Sequence, residues 1–148
     1  MFEGTPLQLP NQFNPSPDLI SCGLPSPQDL QRAKAAGIKT VINLCGAHET
    51  MGEQDFVAQL GLRYFNIPVS GAIDLTEDKA RALGEVINNR DNHPVLMHCM
   101  SGNRVGALVA MKTFFVDGAS PQQALDAGRA AGLKALEPEV WRLLTTPA

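Results

Sequence analysis

Apolar residues along the chain fall into short runs that alternate with longer amphipathic stretches. The short runs are rich in Val, Ile, Leu and aromatic residues and are bounded by turn-forming residues, which predicts buried strands. These predicted strands cover Leu19–Cys22, Thr40–Leu44, Leu62–Ile67 and Pro94–His98. Strands separated by helices indicate a mostly parallel central sheet flanked by helices, so the predicted fold class is α/β.

Capping residues mark the start of several of the predicted helices. Ser26 stands before Pro27 and three residues before Asp29, which is the pattern of a capping box, and Thr76 and Ser120 are further candidate caps. The segment Val105–Phe115 is apolar on most faces and is predicted to be a central buried helix. The other helices are predicted over Ser26–Gly37, Glu53–Leu60 and Thr76–Ile87, from Ser120 onward, and as a final short helix that begins at Pro138.

The domain organisation follows from the length of the chain and the position of its prolines. The 148 residues suit one domain with one core. Four prolines within residues 1–17 predict an irregular N-terminal lead-in. Residues 18–148 are then expected to form a single α/β domain.

Charge and cysteine usage narrow the expected partners and compartment. The net charge of −3 and the scattered Lys and Arg residues argue against a nucleic-acid partner. No apolar stretch is long enough for a membrane helix, and Met1–Pro10 lacks the pattern of a signal peptide. Three cysteines without a framework spacing favour a reducing compartment, so a cytoplasmic protein is expected.

The segment from His98 to Gly106 carries the clearest chemical signal. It links a predicted strand to the buried helix, at the sheet edge where α/β proteins bind ligands. Cys99 is the candidate nucleophile, because the helix N terminus and the Arg104 guanidinium both favour its thiolate form. The candidate anion-binding residues of the loop are Met100, Ser101, Gly102, Asn103 and Arg104.

His98, Cys99, Gly102 and Arg104 together resemble the signature loop of cysteine-dependent phosphatases of the dual-specificity type. The runs Leu24–Pro27, Gly37–Leu44 and Tyr64–Val69 are closer still to a bacterial branch, the beta-lactamase-hydrolase-like, phosphatase-like family. The similarity covers about residues 18–117. It implies a phosphatase-type fold, a cysteinyl-phosphate intermediate, and an arginine that grips the phosphoryl oxygens.

The sequence departs from this family pattern in three places. Four residues separate Cys99 from Arg104, where these phosphatases have five, and rhodanese-type sulfurtransferases are similar in using such short loops. Val105 stands where a hydroxyl residue is usual. The expected general-acid aspartate is replaced by Ser70 and Gly71, so Asp74 is the candidate acid, on a loop long enough to cover the site.

The neighbouring residues are assigned supporting roles. Adjacent side chains on a strand point to opposite faces, so His98 is expected to support the loop through backbone hydrogen bonds and not to share a metal with Cys99. Cys45 and His48 lack a second pair of ligands, so no metal site is expected, and no cofactor is predicted. Cys45 is either a packing residue or a resolving thiol for an oxidised Cys99.

Three hypotheses about function follow. The first is a phosphatase that hydrolyses phosphomonoesters of a small molecule or a phosphoprotein through a Cys99 phosphoenzyme. The second is a sulfurtransferase that carries a persulfide on Cys99. The third is a non-catalytic, regulatory anion-binding module.

Overall fold

The structure, a computed structural model, describes residues 7–146. Its strands are β1 (Phe13–Ser16), β2 (Leu19–Cys22), β3 (Thr40–Asn43), β4 (Arg63–Asn66) and β5 (Val95–His98). Its α-helices are α1 (Pro27–Ala35), α2 (Glu53–Gln59), α3 (Glu77–Ile87), α4 (Asn103–Phe115), α5 (Pro121–Ala130) and α6 (Glu137–Thr145). Short 3-10 turns lie at Ala47–Glu49, Ala72–Asp74 and Arg90–Asn92.

The five strands form one sheet in the order β1-β2-β5-β3-β4. All neighbours run parallel except β1 and β2, which are antiparallel. The prediction of a mostly parallel sheet flanked by helices is therefore confirmed. Because β2, β5, β3 and β4 run in the same direction, the loops that follow them leave the sheet at one common edge.

The prediction of an irregular lead-in over residues 1–17 is wrong for Phe13–Ser16, which is strand β1 at the edge of the sheet. An edge strand tolerates Pro15, because the outer side of the strand needs no backbone N–H donors. The pairing also has an irregular register between Phe13 and Ser16. Residues 1–6 of the predicted lead-in lie outside the described residues.

The predicted helix starts correspond to real caps. The Ser26 hydroxyl accepts a hydrogen bond from the Asp29 amide at 3.0 Å, and the Asp29 carboxylate accepts one from the Ser26 amide at 2.9 Å. Ser120 and Gln123 form the same reciprocal pair at the start of α5, and the Thr76 hydroxyl caps α3 by accepting from the Lys79 amide. Helix α4 begins two residues before its predicted start at Val105, because Gly102 takes the left-handed conformation that starts it.

The core lies on both faces of the sheet, as expected for a parallel sheet. Val41 and Leu96 pack against α1 and α2, and the adjacent Ile42 and Met97 pack against the helices on the opposite face. Helix α4 is buried along most of its length, as predicted, and crosses the second face directly after β5. No helix in the described part of the chain is long and apolar enough to span a membrane.

Candidate active site

Cys99 lies in the loop that joins β5 to α4, and its side chain is buried. The backbone amide of Gly102 donates a hydrogen bond to Cys99 Sγ at 3.0 Å. Gly102 has a φ of +91°, a conformation that side chains disfavour and that lets the chain turn back over the sulfur. The loop therefore places a backbone donor directly on the candidate nucleophile.

The other amides of this loop are available to a ligand. Those of Met100, Ser101, Asn103 and Arg104 have no acceptor within residues 7–146. They stand at the N terminus of a 13-residue helix, where free N–H groups and the helix dipole favour an anion. The predicted anion-binding segment thus offers backbone donors, as the motif requires.

Arg104 is held in place by Glu49, in the 3-10 turn after β3. Arg104 Nη1 and Nη2 donate to the two Glu49 carboxylate oxygens at 2.9 and 3.0 Å, and Nη1 also donates to the Val69 carbonyl at 3.1 Å. The hydrogen bond from Arg104 holds the pKa of Glu49 at about 2, so the carboxylate stays ionised. The sequence offers no local signal for this contact, because 55 residues of sequence separate Glu49 from Arg104.

A guanidinium has five N–H donors, and the contacts with Glu49 and Val69 use three of them. The N–H at Nε and the second hydrogen at Nη2 remain, and they form the other edge of the same planar fork. Two parallel donors of this kind match two oxygens of a phosphoryl group. Glu49 therefore orients Arg104 and leaves it able to bind an oxyanion.

His98, the predicted supporting residue, is fully buried behind the loop. Its Nδ1 lies 3.5 Å from the Cys99 carbonyl oxygen, and its Nε2 lies 2.6 Å from Glu53 Oε2. The Tyr64 hydroxyl donates to the same Glu53 oxygen at 3.1 Å, and burial raises the pKa of Tyr64 to about 12. Asn43 donates to the Tyr64 oxygen at 2.8 Å and continues the network toward β3.

Glu53 is a site residue that sequence reasoning missed. It is the first residue of α2 and is only 9% exposed. An acidic residue at the start of a helix is ordinarily an exposed group that interacts with the helix dipole, so the sequence offers no signal for burial.

The candidate acid Asp74 lies in the 3-10 turn between β4 and α3. Its Oδ2 accepts hydrogen bonds from the Ser70 hydroxyl at 2.6 Å and the Ser70 amide at 2.8 Å. These two bonds lower the pKa of Asp74 below its usual range. The turn begins shortly after Val69, the residue whose carbonyl accepts from Arg104, so Asp74 and Arg104 share one region of the sheet edge.

The side chain of Asn103 points away from the loop. Its Oδ1 accepts hydrogen bonds from the amides of Lys134 at 2.8 Å and Leu136 at 3.3 Å, which tie the start of α4 to the α5–α6 connection. Only the backbone amide of Asn103 is thus available for the predicted anion binding. Ser101 and Met100 are exposed, and the Met100 carbonyl accepts from the Leu24 amide at 3.2 Å.

The other two cysteines are buried at the same sheet edge and are free thiols. Burial is the main cause that raises the pKa of Cys45 to about 12 and that of Cys22 still further. Both thiols therefore stay protonated near neutral pH, and a protonated thiol is a poor nucleophile. This favours the packing interpretation of Cys45 over a resolving role.

Residues 7–146 contain no group of three His, Cys, Asp or Glu side chains able to hold a metal ion.

Comparisons with known proteins agree on one family. The sequence model of the tyrosine phosphatase family matches residues 9–112. The inositol diphosphatase DSP1 of Oryza sativa subsp. japonica is 29% identical over 92 residues, which are 59% of this chain and 41% of the relative. The chain thus spans less than half the length of this curated relative.

Two solved structures share the fold. The core catalytic domain of the PP-IP phosphatase SIW14 from S. cerevisiae has a TM-score of 0.70 at 17% identity, covering 92% of this chain and 86% of that one. P. aeruginosa TpbA, solved as a variant in complex with pTyr, has a TM-score of 0.71 at 21% identity, and the match covers 98% of this chain and 88% of that one.

Proposed function

The chain belongs to the tyrosine phosphatase family, and on that premise we propose that it hydrolyses phosphomonoesters through a phosphocysteine intermediate on Cys99. The family match confirms the predicted relationship to cysteine-dependent phosphatases. It favours the phosphatase hypothesis over the sulfurtransferase and the anion-binding module.

The observation that carries the proposal is the arrangement around Cys99. The Gly102 amide donates to the sulfur. Within residues 7–146 the neighbouring loop amides have no acceptor, and two parallel donors of Arg104 are without a partner. Such donors stabilise the negative charge of a thiolate before the reaction and of the phosphoryl oxygens in the transition state. The loop needs only backbone amides for this task, so a spacing of four residues still supplies the cradle.

In the first step, the Cys99 thiolate attacks phosphorus. An S–P bond forms while the bond between phosphorus and the ester oxygen breaks, and Arg104 and the loop amides bind the three remaining oxygens. The departing oxygen takes a proton, for which we propose Asp74 as the donor, carried by the turn at Ala72–Asp74. In the second step, water attacks phosphorus and gives one proton to the ionised Asp74 while the S–P bond breaks, so that inorganic phosphate, the thiolate and the protonated acid are restored.

The proposed substrates are phosphorylated small molecules. The curated relative in rice is named an inositol diphosphatase, and the yeast neighbour is described as a PP-IP phosphatase. A phosphoprotein substrate is a further prediction from the family resemblance.

Hydrolysis of 4-nitrophenyl phosphate under reducing conditions tests the proposed function. We expect Cys99→Ser to lower kcat by at least about 10³-fold, because the nucleophile is removed. Cys45→Ser is the matched control, since it replaces another buried cysteine at the same edge and should keep most of the activity. Acid quenching followed by intact-mass measurement should show one added phosphoryl group on the wild type. Equal activity of the wild type and Cys99→Ser would refute the proposal.

Replacement of Arg104 tests the phosphate fork. Lysine keeps the positive charge but cannot donate two parallel hydrogen bonds, so Arg104→Lys should lower kcat/KM by about 10²-fold. Inhibition by vanadate or phosphate should weaken in parallel. Unchanged kcat/KM in Arg104→Lys would show that Arg104 does not bind the transferred group.

A further inference from the structure

The connection between α5 and α6 packs directly against the second half of the signature loop. Asn103 Oδ1 accepts hydrogen bonds from the amides of Lys134 at 2.8 Å and Leu136 at 3.3 Å. Gly132 lies against the preceding loop residue, because a Cβ at Gly132 would be 2.9 Å from the Gly102 carbonyl oxygen. The connection thus contacts two consecutive residues of the loop, one through a side chain and one through the backbone.

These two loop residues carry amides that the proposed reaction uses. The Gly102 amide donates to Cys99 Sγ, and the Asn103 amide has no acceptor within residues 7–146. The C=O and N–H groups of a trans peptide point in opposite directions. Because the Gly102 carbonyl faces Gly132, the N–H of the same peptide, which belongs to Asn103, points away from the connection. Contact with the connection therefore sets the direction of this amide.

The loop has little support of its own. Within the described part of the chain, the bond from the Gly102 amide to Cys99 Sγ is the one hydrogen bond found between residues of the 99–104 segment. The first half of the loop is held from outside, since the Met100 carbonyl accepts from the Leu24 amide at 3.2 Å. The second half is held by the α5–α6 connection.

The connection is itself anchored on two sides. The hydroxyl of Ser21 in β2 is fully buried and donates to the Ala131 carbonyl at 2.7 Å. A Cβ at Gly106 would lie 2.1 Å from the Leu133 nitrogen, so the first turn of α4 lies directly on the connection. A segment that contacts both the sheet and α4 in this way can hold the loop in one geometry.

We propose that Asn103 is a positioning residue of the active site. Its side chain ties the loop to the α5–α6 connection, and this contact keeps the amides of Gly102 and Asn103 directed at the Cys99 sulfur and at the bound phosphoryl group. The inference rests on the proposed phosphatase function for its effect on turnover. The effect on phosphate binding that it predicts needs no turnover, so the two proposals can be tested separately.

Asn103→Ala tests the positioning role, because it keeps the backbone amide and removes the acceptor that holds it. We expect the dissociation constant for inorganic phosphate, measured by isothermal titration calorimetry, to rise by about 10-fold. We expect kcat/KM for 4-nitrophenyl phosphate to fall by about 10- to 100-fold, since small displacements of donors are costly in the transition state. Both are measured well below the unfolding temperature of the variant.

Asn92→Ala is the matched control for a loss of stability. The Asn92 side chain also makes two tertiary hydrogen bonds, to the Val86 carbonyl at 2.9 Å and from Arg63 at 2.7 Å. It precedes β5 and so lies at the opposite edge of the sheet. Asn92→Ala should lower Tm but leave the phosphate dissociation constant and kcat/KM at their wild-type values.

Ser21→Ala disturbs the same contact from the other side. It removes the anchor of Ala131 and changes no residue of the loop, so it separates positioning from any direct contact of the Asn103 side chain with the anion. We expect the phosphate dissociation constant to rise by about 3-fold, as the loss of one hydrogen bond predicts. This small substitution also keeps the proposal testable if Asn103→Ala does not fold.

The outcomes separate the two proposals. Wild-type phosphate affinity and kcat/KM in Asn103→Ala, or equal losses in Asn103→Ala and Asn92→Ala, would overturn the positioning role while the Cys99-dependent activity stands. Unchanged phosphate affinity in Ser21→Ala would overturn the connection as the support of the loop. Weaker phosphate binding in Asn103→Ala, with no Cys99-dependent turnover in the wild type, would overturn the phosphatase function and leave the positioning role. A wild type that neither binds phosphate nor hydrolyses an ester would overturn both.

Discussion

The Glu53 carboxylate is the central acceptor of the buried network behind the loop that carries Cys99, so we expect Glu53→Ala to destabilise the protein strongly. Its Oε2 lies 2.6 Å from His98 Nε2 and accepts from the Tyr64 hydroxyl at 3.1 Å. A carboxylate only accepts hydrogen bonds, so both partners must be donors. Alanine leaves both donors without an acceptor, and His98 is completely buried.

The expected magnitude follows from these two contacts. A buried donor without a partner costs about 1–3 kcal/mol, and His98 falls at the upper end of this range because water cannot reach it. Tyr64 is half-buried and contributes less. We expect Glu53→Ala to lower the free energy of unfolding by about 3 kcal/mol in total, which for a chain of 148 residues corresponds to a fall in Tm of about 10 °C.

Two further variants isolate the cause. In Glu53→Gln the amide oxygen can take the place of Oε2 and accept both hydrogen bonds, so we expect a loss below about 1 kcal/mol. Glu77→Ala is a matched control, because Glu77 is likewise the first residue of a helix but is exposed and pairs with Arg81 on the surface. That surface ion pair should contribute less than about 1 kcal/mol.

Urea-induced unfolding at neutral pH measures all three variants, with phosphatase activity as a second readout. Glu53→Ala should also lower kcat more than Glu53→Gln does, because the His98 ring lies directly behind the backbone at Cys99. A loss below about 1 kcal/mol in Glu53→Ala, or equal losses in the alanine and glutamine variants, would refute the reasoning.

Three more predictions follow from the same contacts. Hydrogen bonds from Ser70 lower the pKa of Asp74, so Ser70→Ala should raise that pKa and move the high-pH decline of kcat to higher pH. Asp74→Asn should abolish this decline. Identical pH–rate profiles for the wild type and both variants would exclude Asp74 as the acid. The pKa of Glu49 lies near 2 in the folded chain against an ordinary 4.5, so its stabilising effect is present above pH 4.5 and is lost as the pH falls toward 2. Unfolding measured across that range should therefore show a weaker pH dependence in Glu49→Gln, and an unchanged dependence would contradict the ion pair. A Cβ at Gly106 would lie 2.1 Å from the Leu133 nitrogen, in the α5–α6 connection. Gly106→Ala should therefore lower the free energy of unfolding by about 3 kcal/mol or more in thermal denaturation, and a near-normal Tm would show that α4 and this connection can separate.

Local sequence signals predicted most of the fold. The strands β2 to β5 and the capped starts of α1, α3 and α5 were predicted from patterns that act over a few residues. The edge strand β1 was missed because its prolines indicate irregular structure, and its pairing depends on β2, which comes later in the chain. The signature loop was also predicted, because its residues are consecutive and lie between a strand and a helix.

The sequence by itself determined the α/β class, the position of Cys99 and the identity of Arg104, since each depends on neighbours along the chain. Only the tertiary structure decided which carboxylates serve the site. Glu49 reaches Arg104 across 55 residues and Glu53 reaches His98 across 45, because parallel strands bring the ends of distant segments to one edge of the sheet. No local sequence pattern identifies a residue that makes such a contact. The number of residues between the two partners depends on the length of the helices that connect the strands, and not on the chemistry of the site.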